Sequence, residues 1–316
     1  MNDLFKPMAV NDGMDFLDKK SSISNDGIYR PDLKKAKDKK KGYRSVLRFL
    51  PNLKRDGTLG SNAIEKMLHY VKLENYSELN GYYDSMRNFN EKCDLTNTYW
   101  ELKNSKSVVD QEKADLISRT TKYYSYVIVI EDENQPELEG KIMIYNFGYK
   151  IKEKLEQERT GEITGTPCNI FDLANGKDFV LILKEVGGYN NYDSSQFKQD
   201  SSPMKIKGKD GTMKELPTQE NDGGLLVIHE NVREKAKDFL LAREHELEQF
   251  EPIRWDDETR ERVNKIISIL TENPVVNAAK SIDSSRIKEA ASIDEDFDVT
   301  PSKSGDTDPD SFFDDI

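Results

Sequence analysis

The sequence predicts a mainly β fold with inserted helices, an α+β arrangement. Three observations predict it. Two strands, Lys122–Ile130 and Lys141–Phe147, flank a polar loop that holds Pro136 and Gly140. A continuous apolar strand, Phe179–Val186, ends at Gly187-Gly188, where the chain can turn. Two late segments, Glu230–Phe250 and Asp256–Leu270, repeat apolar residues with the 3.6 period of a helix.

The remaining elements follow in order. Met1–Lys40 is polar and basic with little apolar periodicity, and reads as a mobile arm. Gly42–Leu50 reads as the first strand, stopped by Pro51, and Lys66–Leu73 as the second. Asn75–Ser107, rich in Tyr, Asn and Ser, gives no clear signal. Val108–Ile117 reads as a short helix and Lys150–Glu158 as another. Ser201–Gly224 reads as a loop, and Ser281–Ile316 as disordered. The expected organisation is an arm at 1–40, a core at 41–275 with C-terminal helices, and a disordered acidic tail at 276–316.

Composition bounds the function. No run of 18 apolar residues exists, so no membrane span is expected. The acidic N-terminus lacks a signal pattern, and Cys93 and Cys168 give no disulfide framework; both point to a reducing cytoplasm. The net charge of −12 at first argues against a nucleic-acid partner. Its distribution reverses that. Lys19–Arg55 holds thirteen Lys/Arg and three Asp, whereas Asp294–Ile316 holds nine Asp/Glu and one Lys. Charge segregated to the ends describes tails acting on a folded body.

The strand ends carry Tyr123, Tyr124, Tyr126, Tyr145 and Phe147 beside Arg119, Lys122, Lys141 and Lys150. Flat rings next to cations are what a protein needs to stack unpaired bases and hold their phosphates. The same rings equally suit a core. Tyr189 and Tyr192 follow in a run of Asn, Asp and Ser, where aromatic side chains gain little from folding.

The segments Tyr43–Pro51, Lys122–Lys154 and Asp178–Phe197 stand in an order that resembles the single-stranded DNA-binding (helix-destabilising) proteins of T-even and related phages. The patterns EGK-x₃-Y-x-FG-x-K and FVL-x₂-K-x-V-x-G-x₂-NYD-x₂-F carry the resemblance. It covers about half the chain directly. It implies an OB-fold core, with bases lying across the strand face. It also implies sequence-independent, cooperative binding of single-stranded DNA in phage replication, recombination and repair, in the host cytoplasm. Tyr123, Tyr124, Tyr145, Tyr189 and Tyr192 fall at the family's base-stacking positions. Arg48, Arg119 and Lys150 fall at or near its backbone-contacting cations, with Lys122 beside them. Ahead of Arg119, where the family has a further aromatic, this chain has Ala114 or Asp115; Tyr99 or Trp100 is the expected substitute.

The resemblance also implies partners. Lys19-Lys20-Ser21-Ser22 is similar to the short Lys/Arg–Ser/Thr motif by which one protomer grips the next. Phe312-Phe313, set among acids, reads as a docking motif for replication and recombination proteins. The family's type member holds a structural zinc with one His and three Cys. Here His69 and Cys93 match, but the partner of Cys93 in C-x₂-C is Thr96, so no metal and no cofactor is expected. Two rival readings are a scaffold or virion protein, and a metal-dependent nuclease built on Asp172, Asp178, Lys184 and Glu185.

Overall fold

The structure is a computed structural model that describes residues 27–36, 41–221, 224 and 226–272. Most of the predicted arm, including Lys19, Lys20, Ser21 and Ser22, lies outside the described residues, as does the acidic tail with Phe312 and Phe313.

The fold is organised by one long strand, β5 (Ile117–Asp132). Its N-terminal half pairs antiparallel with β3 (Ile64–Val71), which in turn pairs with the short β4 (Gly81–Asp84). Its C-terminal half lies between β2 (Tyr43–Phe49) and β6 (Ile142–Phe147). The sheet then runs from β2 to β7 (Phe179–Val186) and β8 (Tyr189–Asn191) on one side. On the other side it ends at β1 (Ile28–Tyr29), parallel to β6. It is an open sheet, with β9 (Gln196–Phe197) added against β7.

Alternation along β5 explains its unbroken apolar run. Val127 and Val129 enter a core with Phe49, Tyr145 and Phe179, while Ile128 and Ile130 enter another with Val46 and Leu50 on the opposite face. A strand covered on both faces needs no polar alternation. At its start, Ile117 belongs to a third core, formed by α1 (Asp94–Lys103), α2 (Val108–Asp115) and α5 (Asp257–Glu272). Segment Asn75–Ser107, unclear from sequence, therefore supplies β4 and α1.

Three expectations shift. Ile28 and Tyr29, counted with the arm, are buried strand residues. Tyr29 donates to Asp132 Oδ2 at 2.6 Å, and Tyr43 donates to the same oxygen at 2.5 Å. Residues 201–224 are more than loop: β10 (Lys205–Lys207) pairs with β11 (Met213–Glu215), and β12 (Thr218–Glu220) with β13 (Leu226–Ile228). The first late helix, α4 (Glu230–Leu241), stops well short of Phe250. Gly187 and Gly188 both take positive φ, 63° and 88°, and make the two-residue turn of the β7–β8 hairpin.

Candidate nucleic-acid interface

Residues 117, 119, 121 and 123 of β5 share one face. Ile117 is buried in the helical core and Tyr123 in the core around Phe49. Between these two cores, Arg119 and Thr121 are only half-covered. The Arg119 guanidinium lies 5.9 Å from the centroid of the Trp100 ring, a cation–π contact supplied by α1. Trp100 thus stands beside Arg119, where a substitute aromatic was expected. Tyr99 is buried.

The next ring on this face is Tyr123, stacked on Phe147 at 5.7 Å and 21°. Burial, then the charge of Glu65, pushes its phenol up to about 12. Tyr149, 57% exposed, is close enough to act on the same phenol. Tyr149 begins α3 (Tyr149–Thr160), whose N-cap is Gly148. The first turn of α3 has no acidic residue, and Lys150 and Lys152 stand there. A helix N-terminus with its dipole unopposed favours phosphate. The Lys152 ammonium sits 5.8 Å from the Tyr149 ring centroid. At the end of the row, Lys154 donates to Asp193 O, joining α3 to the loop after β8. Tyr192 packs half-buried there against the Phe49 core, and Tyr189, at the hairpin, is 59% exposed.

Of the predicted residues, Tyr123 and Tyr192 border the same core, Arg119 lies on the same face of β5 as Tyr123, Lys150 stands in the first turn of α3, and Tyr189 is exposed at the β7–β8 hairpin. The other predicted residues have internal partners. Arg48 is fully buried: its Nη2 donates to Asp172 O and Ser202 O, and its Nη1 lies 3.6 Å from Asp178. The seat is tight, since a Cβ on Gly176 would lie 2.7 Å from Arg48 Nη2 and 2.6 Å from two backbone oxygens. Tyr124 stacks on Phe250 at 4.2 Å and 12°. Tyr145 is 2% exposed, between Tyr29, Phe49 and Phe147. Lys122 points to the opposite face and lies over Tyr82.

Sequence reasoning missed Tyr149 and Lys152. The available signal was Gly148 ahead of a helical run, which places the following residues in the first turn at the sheet edge.

Two acids of the rival nuclease reading, Asp172 and Asp178, are engaged by the protein's own donors. Asp178 accepts from Lys198 and Lys205, and Asp172 Oδ1 accepts from the amides of Ala174 and Asn175. A cleft of about 940 Å³ beside α3 has Lys177 in its wall, but Glu158 pairs with it at 2.7 Å. His69 is fully buried: its Nε2 lies 2.8 Å from Thr96 Oγ1 and its Nδ1 3.2 Å from Ile117 O. Ser85 Oγ lies 3.2 Å from the same Thr96 hydroxyl. Burial pushes the Cys93 thiol up, but hydrogen bonds with His69, Thr96 and Ser85 outweigh it and bring it down to about 6. His69, Thr96 and Ser85 are thus joined by hydrogen bonds, with the buried Cys93 beside them. Among the described residues no three His, Cys, Asp or Glu side chains converge as metal ligands, and no helix is long and apolar enough to cross a membrane.

This chain belongs to the family described as gp32 DNA binding protein like, whose model matches residues 41–267. It is similar to the single-stranded DNA-binding protein of Enterobacteria phage T2, 31% identical over 167 residues, which cover 50% of this chain and 51% of the relative. It is also similar to the protein of the same description from Enterobacteria phage T4, 30% identical over 167 residues, covering 50% and 52%. The chain spans about half the length of the curated relatives it matches.

Proposed function

We propose that this chain binds single-stranded DNA without sequence preference, and performs no catalysis. The observation that carries the reading is the row of ring–cation pairs on one face of β5 and the start of α3. Arg119 with Trp100 and Tyr149 with Lys152 set flat surfaces beside positive charge, while the Tyr123–Phe147 stack belongs to the buried core. Single-strand sites combine these two parts. Lys150, Tyr189 and Tyr192 extend the row. The family membership and the printed names of the phage relatives support the same reading. The OB-fold reading draws support from β5, a single long strand that pairs with β3 along its first half and with β2 and β6 along its second.

The finer parts of the proposal concern the ends. Lys19, Lys20, Ser21 and Ser22 link neighbouring protomers into cooperative arrays on the strand. The acidic tail docks replication, recombination and repair proteins through Phe312 and Phe313, and competes with DNA for the groove. The setting is phage DNA metabolism in the host cytoplasm.

A titration of labelled single- and double-stranded oligonucleotides over a range of salt tests the function. With about 3–5 phosphates neutralised, log K against log[salt] slopes roughly −2 to −4, at ~−0.7 per contact. A flat salt response, or equal affinity for duplex, refutes the proposal.

A further inference from the structure

Strand β5 has a second face, and it too presents rings and cations. Residues 118, 120 and 122 point away from Arg119. In register with them are Tyr70 and Lys66 of β3 and Tyr82 of β4: Tyr70 pairs with both Ser118 and Tyr82, and Lys66 with Lys122. The Tyr70 and Tyr82 rings meet at 4.9 Å with a 41° tilt. Tyr82 lies on an edge strand of four residues and keeps 50% of its surface exposed. The Lys122 ammonium sits 4.3 Å from the centroid of its ring. Lys66 on this face is paired with Asp84 at 3.0 Å. Lys72, which continues the alternation from Tyr70, is exposed.

The asymmetry of the pair is informative. Tyr70 is half-buried, so packing accounts for it. Tyr82 leaves half its surface in water at a sheet edge, where burial returns little. It is backed by a second ring and held by the buried Lys122 ammonium, so its position is fixed by packing while its outer surface stays open to receive a base, with Lys72 the exposed cation on this face.

We infer that Tyr82 is a second base-stacking platform, taking one nucleobase of the bound single strand while the exposed Lys72 faces a flanking phosphate. The inference rests on the single-strand reading above. Because this face is opposite the Arg119 row, the strand reaches it only after passing the edge of the sheet. Short oligonucleotides that fill the first row do not extend to Tyr82.

The test compares wild type, Tyr82→Ala, Tyr82→Leu and Tyr82→Phe on oligonucleotides of increasing length. Tyr82→Ala and Tyr82→Leu lose roughly 5- to 150-fold in affinity on long strands, the range for one stacked base. They match wild type on the shortest strands that bind. Tyr82→Phe keeps the ring and stays close to wild type at every length. Should Tyr82→Ala fail to fold, Tyr82→Leu and a direct readout decide the matter. In that readout, strands carrying 5-iodouracil are photocrosslinked to the wild-type protein, and the adduct maps to Tyr82. Crosslinks confined to the Arg119–Tyr192 face, or equal affinity of the folded Tyr82 variants at all lengths, overturn the inference and leave single-strand binding standing. Absence of single-strand binding by the wild type removes both.

Discussion

Tyr124 separates a ring that holds the fold from a ring that holds a base. It is 6% exposed and stacks face-on upon Phe250, at 4.2 Å. Truncating a buried aromatic to Ala costs roughly 3–5 kcal/mol. Of this, the ring pair accounts for about 0.5–1.5 kcal/mol beyond its area. Set against a total stability of about 5–15 kcal/mol, that is a large share. In a core of this size each kcal/mol lowers Tm by roughly 2–4 °C, so Tyr124→Ala lowers it by about 6–20 °C. Phe250→Ala shifts it comparably, and the double variant shows a coupling of about 0.5–1.5 kcal/mol. The assay pairs thermal unfolding with single-strand affinity measured well below the transition. Affinity of folded Tyr124→Ala stays near wild type. Tyr189→Ala behaves oppositely: its ring is 59% exposed, so the transition moves little while binding weakens by about 1–3 kcal/mol. If Tyr124→Ala keeps its transition and loses affinity, the stacking on Phe250 is not what the residue does.

Three further outcomes follow from the charges. Burial, then the charges of Tyr43 and Asp132, pushes the Tyr29 phenol far above its usual value, and burial with the hydrogen bond to Asp132 raises Tyr43. Both groups stabilise the fold fully below the unfolded tyrosine pKa of ~10, and the contribution is lost as pH rises toward the folded values, by up to ~1.4 kcal/mol per pH unit for each. Urea unfolding above pH ~10 therefore steepens with pH less in Tyr29→Phe than in wild type; equal slopes refute the shared-carboxylate latch. Cys93 has the opposite sign, since its folded pKa of about 6 is depressed. Its contribution is complete above the unfolded thiol pKa and is lost as pH falls toward 6, so the stability gap between wild type and Cys93→Ser narrows on acidification, by at most ~1.4 kcal/mol per pH unit. A gap that is constant with pH shows the buried thiol stays protonated. Finally, removing Asp294–Ile316, nine acids and one lysine, tightens single-strand binding at low salt and less so at high salt, because tethered charges compete and are screened. Unchanged low-salt affinity leaves the tail with its docking role alone.

The strands were legible because their apolar residues are dense and their breaks chemically marked. Phe179–Val186 matches β7 at both ends because Gly187 and Gly188 fix where it must turn. β5 begins earlier than the apolar pattern suggests. Its first five residues, Ile117–Thr121, owe their strand state to pairing with β3, a long-range partner that local pattern does not reveal. The two hairpins within 201–228 stayed hidden for a related reason: strands of three residues carry too few side chains for alternation to be read. Ile28-Tyr29 was lost in the basic arm, although Tyr29 is completely buried. The function of that ring depends on Asp132, 103 residues away.

The site was harder to read for a physical reason. A ring beside a cation serves a nucleic-acid surface and a protein interior equally well, and this chain uses it for both. Arg243 lies over buried Tyr126 at 4.6 Å, a contact of the same kind as Arg119 with Trp100. What separates the two uses is which face of a strand is already covered, and that depends on register. Tyr123 and Tyr124 are adjacent in sequence, yet one stacks on Phe147 in the core around Phe49 and the other on Phe250 in the opposite core. Tyr123 is the last ring of a buried series: Tyr29 meets Tyr145 edge-on, Tyr145 stacks on Phe147, and Phe147 stacks on Tyr123. These rings are placed by packing, and packing leaves the proposed binding face to the rings and cations that remain in water: Tyr149 on α3, Tyr189 on the hairpin, and the half-covered Arg119 and Lys150. Substitutions in the series therefore act first on stability, and substitutions among the solvent-facing group act first on affinity. The residue types alone do not distinguish the two sets; the register of β5 does.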